Sequence, residues 1–407
     1  MLYQIKTLYK EYPSQYWLMI LGVVLATAGG SMIWPFLLIY VSGKLNLPLS
    51  QVAALISINA GMGLASSVIA GWLADHIGRK LVMNASLVMT GLGYLLMLRA
   101  ETYPHFVWLM ILIGLSNPLY QVGADAMLAD MIPSEKRTDA YAINRIANNS
   151  AFALGPAVGG FLAGRSYDLA FYGAAAGFLS YAILLFFLAR ETLVKHLPTA
   201  DKPQEHNSSP RGFVHVIRDG GFMAFVFSVA IGLIAPLMVW ILMPVYAKTN
   251  FGVAESQYGW IPTTNALMCV FVQYLVTRAA RKYNALPVSA VGMLIYAVGA
   301  GSVALMSSFW GFWTSMVILT FGELTLIPVA SKYVADRAPE DLRGRYMSVH
   351  WLAWGVARTV APLLGGYLND AFFPQAIWIG GLALGLLSAL SLAFLSRREV
   401  RNGAASI

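Results

Sequence analysis

Glu323 is the one acidic residue in the apolar run 309–335. It lies about fourteen residues from either end, which at a helical rise of about 1.5 Å per residue puts it near the middle of a bilayer. A charged carboxylate at that depth is costly. It is expected to face a watery path and to carry a proton for part of any working cycle, which is the chemistry of proton or cation recognition. The plainer alternative is a fixed ion pair with Arg358, midway along the next run, 342–369. Arg145, in the run 138–164, is the other basic residue deep inside a run. The spacing leaves both readings open.

Other chemistries find no support in the chain. Cys269 is the only cysteine, and the six histidines are scattered, so neither a disulfide nor a metal site is expected. No P-loop lysine follows a glycine-rich stretch, and no nucleophile–base motif stands out. An enzyme is not expected, nor a cofactor, and the energy source is expected to be an ion gradient.

The elements that must position Glu323 follow from composition. The chain is 58% hydrophobic, only 11% charged, and has a mean hydropathy of +0.64. Soluble domains carry roughly 25% charged residues, so this is the composition of a polytopic membrane protein. Apolar runs predict about twelve transmembrane helices, near 16–41, 50–73, 81–99, 104–129, 138–164 and 169–189, then 218–247, 255–277, 285–307, 309–335, 342–369 and 374–395. The first run is long and lacks a small-residue cleavage site, so it reads as a span rather than a leader. Between the two sets, 190–217 carries Pro198, Pro203, Pro210 and a His-Asn-Ser-Ser stretch, and reads as a linker. The expected domains are therefore 1–189, a linker 190–217, and 218–407.

The net charge of +8 does not indicate nucleic acid, because the basic residues are spread over short loops. Of 27 Lys and Arg, only Lys44, Arg99, Arg165 and Lys248 fall on one side of this layout, and Arg145 and Arg358 lie inside spans. All the rest share the other side. That asymmetry places both termini in the cytoplasm.

The two sets are copies. Ala129, Asp130, Pro133, Arg137, Ala147, Ala151, Pro156, Gly159 and Gly160 recur without a gap as Ala335, Asp336, Pro339, Arg343, Ala353, Ala357, Pro362, Gly365 and Gly366. Ser50-Gln51 recurs at the same offset as Ser256-Gln257. Two six-helix bundles related by pseudo-symmetry are expected, and such repeats frame a substrate path in transporters.

Between the second and third runs stands Gly71-Trp72-Leu73-Ala74-Asp75-His76-Ile77-Gly78-Arg79-Lys80. A tight turn needs glycine, and Arg79 and Lys80 anchor it on the basic side. This stretch resembles the loop signature G-x-L-A-D-x-x-G-R-K of the major facilitator superfamily, with His76 where Arg is common. The resemblance covers the whole chain. It implies a cytoplasmic gate in which Asp75 approaches the N-terminal turn of the eleventh helix, at Asp341–Arg345, and Arg79 pairs with Asp125 or Asp130. The corresponding second-half loop, 277–286, keeps only Arg278, Arg281 and Lys282.

Within the superfamily, Gly155-Pro156-x-x-Gly159-Gly160 is similar to the signature of the twelve-helix drug:proton antiporters, and Gly322-Glu323 resembles the membrane-embedded Glu of bacterial multidrug exporters. The glycines also suit close helix packing, whatever the substrate. One departure stands against the pattern: Asn117 occupies the place of an Arg linked to proton coupling, leaving Arg145 or Arg358 to substitute. The resemblance further implies a path lined by Trp34, Tyr40, Asn117, Gln121, Met238, Trp240 and Glu323. Asn265 is a further candidate, as are His350, Trp354 and Arg358, whose four-residue spacing puts them on one helix face. The protein so implied is a monomeric, proton-coupled exporter of lipophilic, often cationic compounds in a bacterial inner membrane. A dedicated carrier of a sugar, lipid or other metabolite is the alternative.

Overall fold

The computed structural model describes residues 11–193 and 210–404, and among them every regular element is helical. In chain order these are α1 (Ser14–Ile33), α2 (Leu37–Leu45), α3 (Leu49–Ile77), α4 (Arg79–Arg99), α5 (Tyr103–Met131), α6 (Ser134–Ala163) and α7 (Tyr167–Leu188). There follow α8 (Pro210–Arg218), α9 (Gly220–Phe251), α10 (Glu255–Tyr258), α11 (Trp260–Phe271), α12 (Gln273–Ala280) and α13 (Ala285–Ser302). The last three are α14 (Phe309–Arg337), α15 (Arg343–Ala371) and α16 (Ala376–Ala404).

Local chemistry sets the helix ends. Ser166, Asp219 and Ser308 accept the backbone N–H of Asp168, Phe222 and Gly311, satisfying donors that a helix start leaves open. Asn46 and Gly252 close α2 and α9 in the left-handed conformation. Pro35 sits in a 3-10 turn, Trp34–Phe36, that divides the first span into α1 and α2.

Nine helices among the described residues are long and apolar enough to cross a membrane, counting α1–α2 as one. Three of the expected runs fall outside that set for identifiable reasons. Runs 138–164 and 342–369 form α6 and α15, of 30 and 29 residues, long enough but too polar. Run 255–277 is broken into α10, α11 and α12, with interruptions at Gly259 and Val272. Polar helices and interrupted helices survive at membrane depth where they are buried in protein or line a watery cavity.

The expected linker, 190–217, ends in a helix. Residues 194–209, with Pro198 and Pro203, lie outside the described residues, but Pro210 opens the helix α8. Phe213, Val216 and Ile217 at helical spacing give it an apolar stripe, with Val216 buried.

The chain divides into two compact units. Unit 1 comprises Met1–Leu47, Ile58–His196 and Val253–Ala266. Its core gathers Tyr16, Met83, Leu87, Met127, Tyr181 and Leu185, and the buried Tyr16 hydroxyl donates to the Ala140 carbonyl at 2.9 Å. Unit 2 comprises Pro48–Ser57, Leu197–Gly252 and Leu267–Ile407. Phe222, Phe225, Tyr246, Tyr296, Phe312, Tyr346 and Trp378 are its largest buried side chains, with Tyr246 edge-on to Trp378 at 5.1 Å.

Candidate functional site

Glu323 is half-buried in α14, and Cys269 Sγ of α11 lies 4.0 Å from its Oε1. The preceding Gly322 fixes this direction. A Cβ there would stand 2.7 Å from the Tyr296 backbone nitrogen, so the missing side chain lets α14 close on α13. The next residue points about 100° further round the helix, toward α11. Five residues after Glu323, Pro328 has no N–H to give the Leu324 carbonyl. Gln273 supplies one instead, its Nε2 donating to Leu324 O at 3.0 Å. Cys269 and Gln273, one turn apart, thus bracket Glu323 from across the break at Val272.

The repeated motifs meet each other within each unit. In unit 1 a Cβ at Gly159 would lie 2.0 Å from Met32 O, and one at Gly160 would lie 2.3 Å from Glu255 O, beside the Ser256-Gln257 copy. Gly155 and Pro156 serve the same contact: a Cβ at Gly155 would stand 1.8 Å from Ser31 Oγ, and one at Gly259 would stand 2.3 Å from Pro156 O. In unit 2 a Cβ at Gly366 would lie 2.6 Å from Ser50 Cα. Backbone-to-backbone approach at this range admits only glycine. Each crossing carries one acidic clasp. Tyr167 donates its hydroxyl to Glu255 Oε1 at 2.5 Å in unit 1, and in unit 2 Asp370 accepts from the Ser50 and Leu49 backbone N–H groups.

The glycine loop of unit 1 is tied from a side that sequence reasoning missed. Arg79 forms an ion pair with Asp130, rather than with Asp125. Asp125 instead accepts both its bonds from the Gln121 amide at 3.2 Å. Glu191 accepts from the backbone N–H groups of Arg79 at 3.2 Å and Lys80 at 3.0 Å, capping α4. Gly78 holds φ +112°, and a Cβ there would be 2.7 Å from Glu191 Oε2. Lys80 lies over the Phe186 ring at 5.5 Å. Asp75 is exposed, with no ion pair among the described residues, and nothing lies within 4 Å of a Cβ built at Gly71. The signal for Glu191 was its place as the first acid after an apolar run facing a basic loop.

Unit 2 holds a second knot that the sequence reading did not single out. Asp219 is gripped by Arg337 through two bonds, at 2.7 and 2.8 Å, and accepts further bonds from Phe222 N–H and the Tyr346 hydroxyl. Arg337 reaches on to Glu399 at 2.8 Å, which also accepts from Tyr333. The guanidinium fork holds the Asp219 carboxyl down to about 2, outweighing the opposing effect of burial.

The remaining expected path residues are divided between the two units. Trp34 and Trp240 are half-buried, and Asn117 is exposed beside Pro118. Tyr40 sits in an aromatic cluster with Phe106, Tyr167 and Phe171, its hydroxyl accepting from Lys44 at 2.9 Å. Asn265 is buried in unit 1. Met238 is corrected: it is fully buried where Gly365 lets α15 approach α9, which makes its thioether packing material. Of the stripe His350, Trp354 and Arg358, His350 is corrected too. His350 is buried and stacked with Phe225 at 6.2 Å, Trp354 is half-buried, and Arg358 is exposed. Each four-residue step overshoots a turn by about 40°, so eight residues carry the stripe from the α9 side to an open one. Arg145 is exposed in α6, without an ion pair among the described residues.

The geometry has counterparts in known proteins. The chain is 25% identical over 378 residues to a Na(+), Li(+), K(+)/H(+) antiporter of Planococcus maritimus, covering 86% of each. It is 22% identical over 353 residues to the multidrug resistance protein MdtH of Shigella flexneri, covering 85% of this chain and 84% of the other. A crystal structure of the nucleoside transporter NupG shares the fold, with a TM-score of 0.79 at 11% identity over 93% of this chain and 99% of that one. The profile of the Major Facilitator Superfamily matches residues 19–241 and again 221–406, one copy over each half. The chain belongs to the Major Facilitator Superfamily of membrane transporters.

Proposed function

We propose that this transporter is a proton-coupled antiporter that exports lipophilic, often cationic compounds by alternating access. The observation that carries the reading is Glu323, a carboxylate held at mid-span beside the α11–α12 break and aimed there by Gly322. Protonation of Glu323 releases substrate and favours one orientation, and deprotonation favours loading. Arg358 and Arg145 are the basic groups available to bias that exchange. Cation–π contact suits the lipophilic cation, with Trp34, Trp240 and Trp354 as the half-buried rings. Twelve spans with both termini cytoplasmic, an inner-membrane location and a monomeric state complete the proposal, with the proton gradient as the energy source.

The resemblance to an alkali-cation/proton antiporter favours one second reading, in which Glu323 binds sodium or potassium and protons in turn. Everted vesicles loaded with a pH-sensitive dye separate the two. Under the first reading, ethidium moves with the proton gradient, an uncoupler abolishes the movement, and Glu323→Gln removes it at equal expression. Dissipation of the gradient by sodium but not by ethidium would replace it with the second. Unaltered ethidium flux in Glu323→Gln would sink the role assigned to that carboxylate.

A further inference from the structure

We infer that unit 2 carries a binding site for an anionic phospholipid, formed by an apolar groove between α12, α13 and α14 and by three cations interleaved in sequence with the groove's lining residues Val276, Ala279 and Tyr283. The groove encloses about 410 Å³ and is lined by Val276, Ala279, Tyr283, Pro287, Val288 and Val291, among others. Arg278, Arg281 and Lys282 lie on the same turn-and-a-half of chain, all exposed, and none of their side chains makes an ion pair or hydrogen bond among the described residues. The stretch 272–290 contains no Asp or Glu.

The repeat makes this arrangement informative. Counterpart positions in the first-half loop hold Asp75 where Arg281 stands, Arg79 where Ala285 stands, and Gly78 where Asn284 stands. There the loop's arginine is neutralised by Asp130 and its helix start is capped by Glu191. In the second half Asp336, the copy of Asp130, pairs with Lys332 of its own helix, and Asn284 caps nothing with its side chain. The second-half loop has thus lost the Arg79 and Lys80 cations and gained others at the places of Trp72, Asp75 and His76, with no internal acid paired to them among the described residues. Exposed cations without an internal acid are open to a partner of opposite charge from outside, and the apolar groove lined by their sequence neighbours favours one with an acyl chain. The phosphodiester of an anionic lipid meets both demands, with the guanidinium groups forking its oxygens and the chain lying along Val276, Val288 and Val291.

The test uses the purified full-length protein in detergent, titrated with dioleoylphosphatidylglycerol or dioleoylphosphatidylcholine and read by native mass spectrometry. Three variants are compared with wild type: Arg278→Gln/Arg281→Gln/Lys282→Gln, Ala279→Trp, and the control Arg397→Gln/Arg398→Gln on another basic segment. Val291→Trp, on the exposed rim of the groove, stands in for Ala279→Trp should that variant not elute as a single species. The expected result is phosphatidylglycerol binding weakened roughly tenfold or more by the triple variant and by the groove-filling one. Phosphatidylcholine binding and the control should be unmoved. Equal affinity for the two lipids, equal loss in the control, or no loss on filling the groove would each overturn the site. Displacement of bound lipid by millimolar inorganic phosphate alone would overturn the part assigned to the acyl chain.

Discussion

Asp370, the penultimate residue of α15, accepts the backbone N–H of Ser50 at 2.8 Å and that of Leu49 at 3.3 Å, capping a helix that starts 321 residues earlier. Burial works to raise its pKa, but hydrogen bonds from Ser50, Asn369 and Leu49 outweigh it and hold the carboxyl below the usual range. A depressed carboxylate contributes stability above its unfolded pKa and loses it as the pH falls through the folded one. Asp370→Asn should therefore cost about 0.5–1 kcal/mol at pH 7, a small value because the side chain is exposed. Thermal melts in detergent should show that difference closing as the pH is lowered through the carboxylate range. A gap of equal size at low pH would mean the charge is not what holds the cap.

The two glycines of the α3–α4 loop motif should behave oppositely. Gly78→Ala forces an L-residue into φ +112° and drives its Cβ into Glu191, with an expected cost of about 1–3 kcal/mol. Gly71→Ala meets open space and should leave the melting temperature nearly unchanged. Combining Gly78→Ala with Glu191→Ala should recover the steric part and leave the backbone part.

Gln273 answers a carbonyl that Pro328 leaves without a donor. Gln273→Leu strands that carbonyl at a cost of about 1–3 kcal/mol, and Gln273→Glu should fare no better because a carboxylate brings no N–H. Replacing Pro328 by Ala restores the helical bond. The double variant Gln273→Leu/Pro328→Ala should therefore be more stable than Gln273→Leu alone.

The Asp219–Arg337 fork should give an acid transition of its own. Asp219 is held from an ordinary 3.8 to about 2, chiefly by the Arg337 hydrogen bonds. Its contribution is complete above the ordinary value and is lost as the pH falls from about 4 to about 2. Arg337→Lys keeps the charge but loses the paired geometry, and should flatten that part of the melting-temperature profile.

What the sequence displayed was whatever has a local signature. Apolar runs located the helices, and the Gly71–Lys80 stretch located a turn that the structure builds with Gly78 in a glycine-only conformation. Partners far along the chain had no such signature. Glu191 lies 112 residues from Arg79, and nothing near either one declares the other. The break at Val272 was hidden because both its sides are apolar and helical by composition. Met238 and His350 were misplaced for a different reason. Residue type tells what a side chain can do, but its direction is set by where Gly365 and Phe225 allow the helices to touch.

The start of α3, Pro48–Ser57, belongs to unit 2, and Val253–Ala266 belongs to unit 1. A chain severed in its linker would yield two fragments that each lack a piece of their own unit. Neither fragment should reach its final packing by itself, and co-expression should restore both. An ancestral half-chain would have met the same need by trading helix starts with a second copy. Joining two such half-chains makes a pairing that depends on concentration one guaranteed within a single molecule.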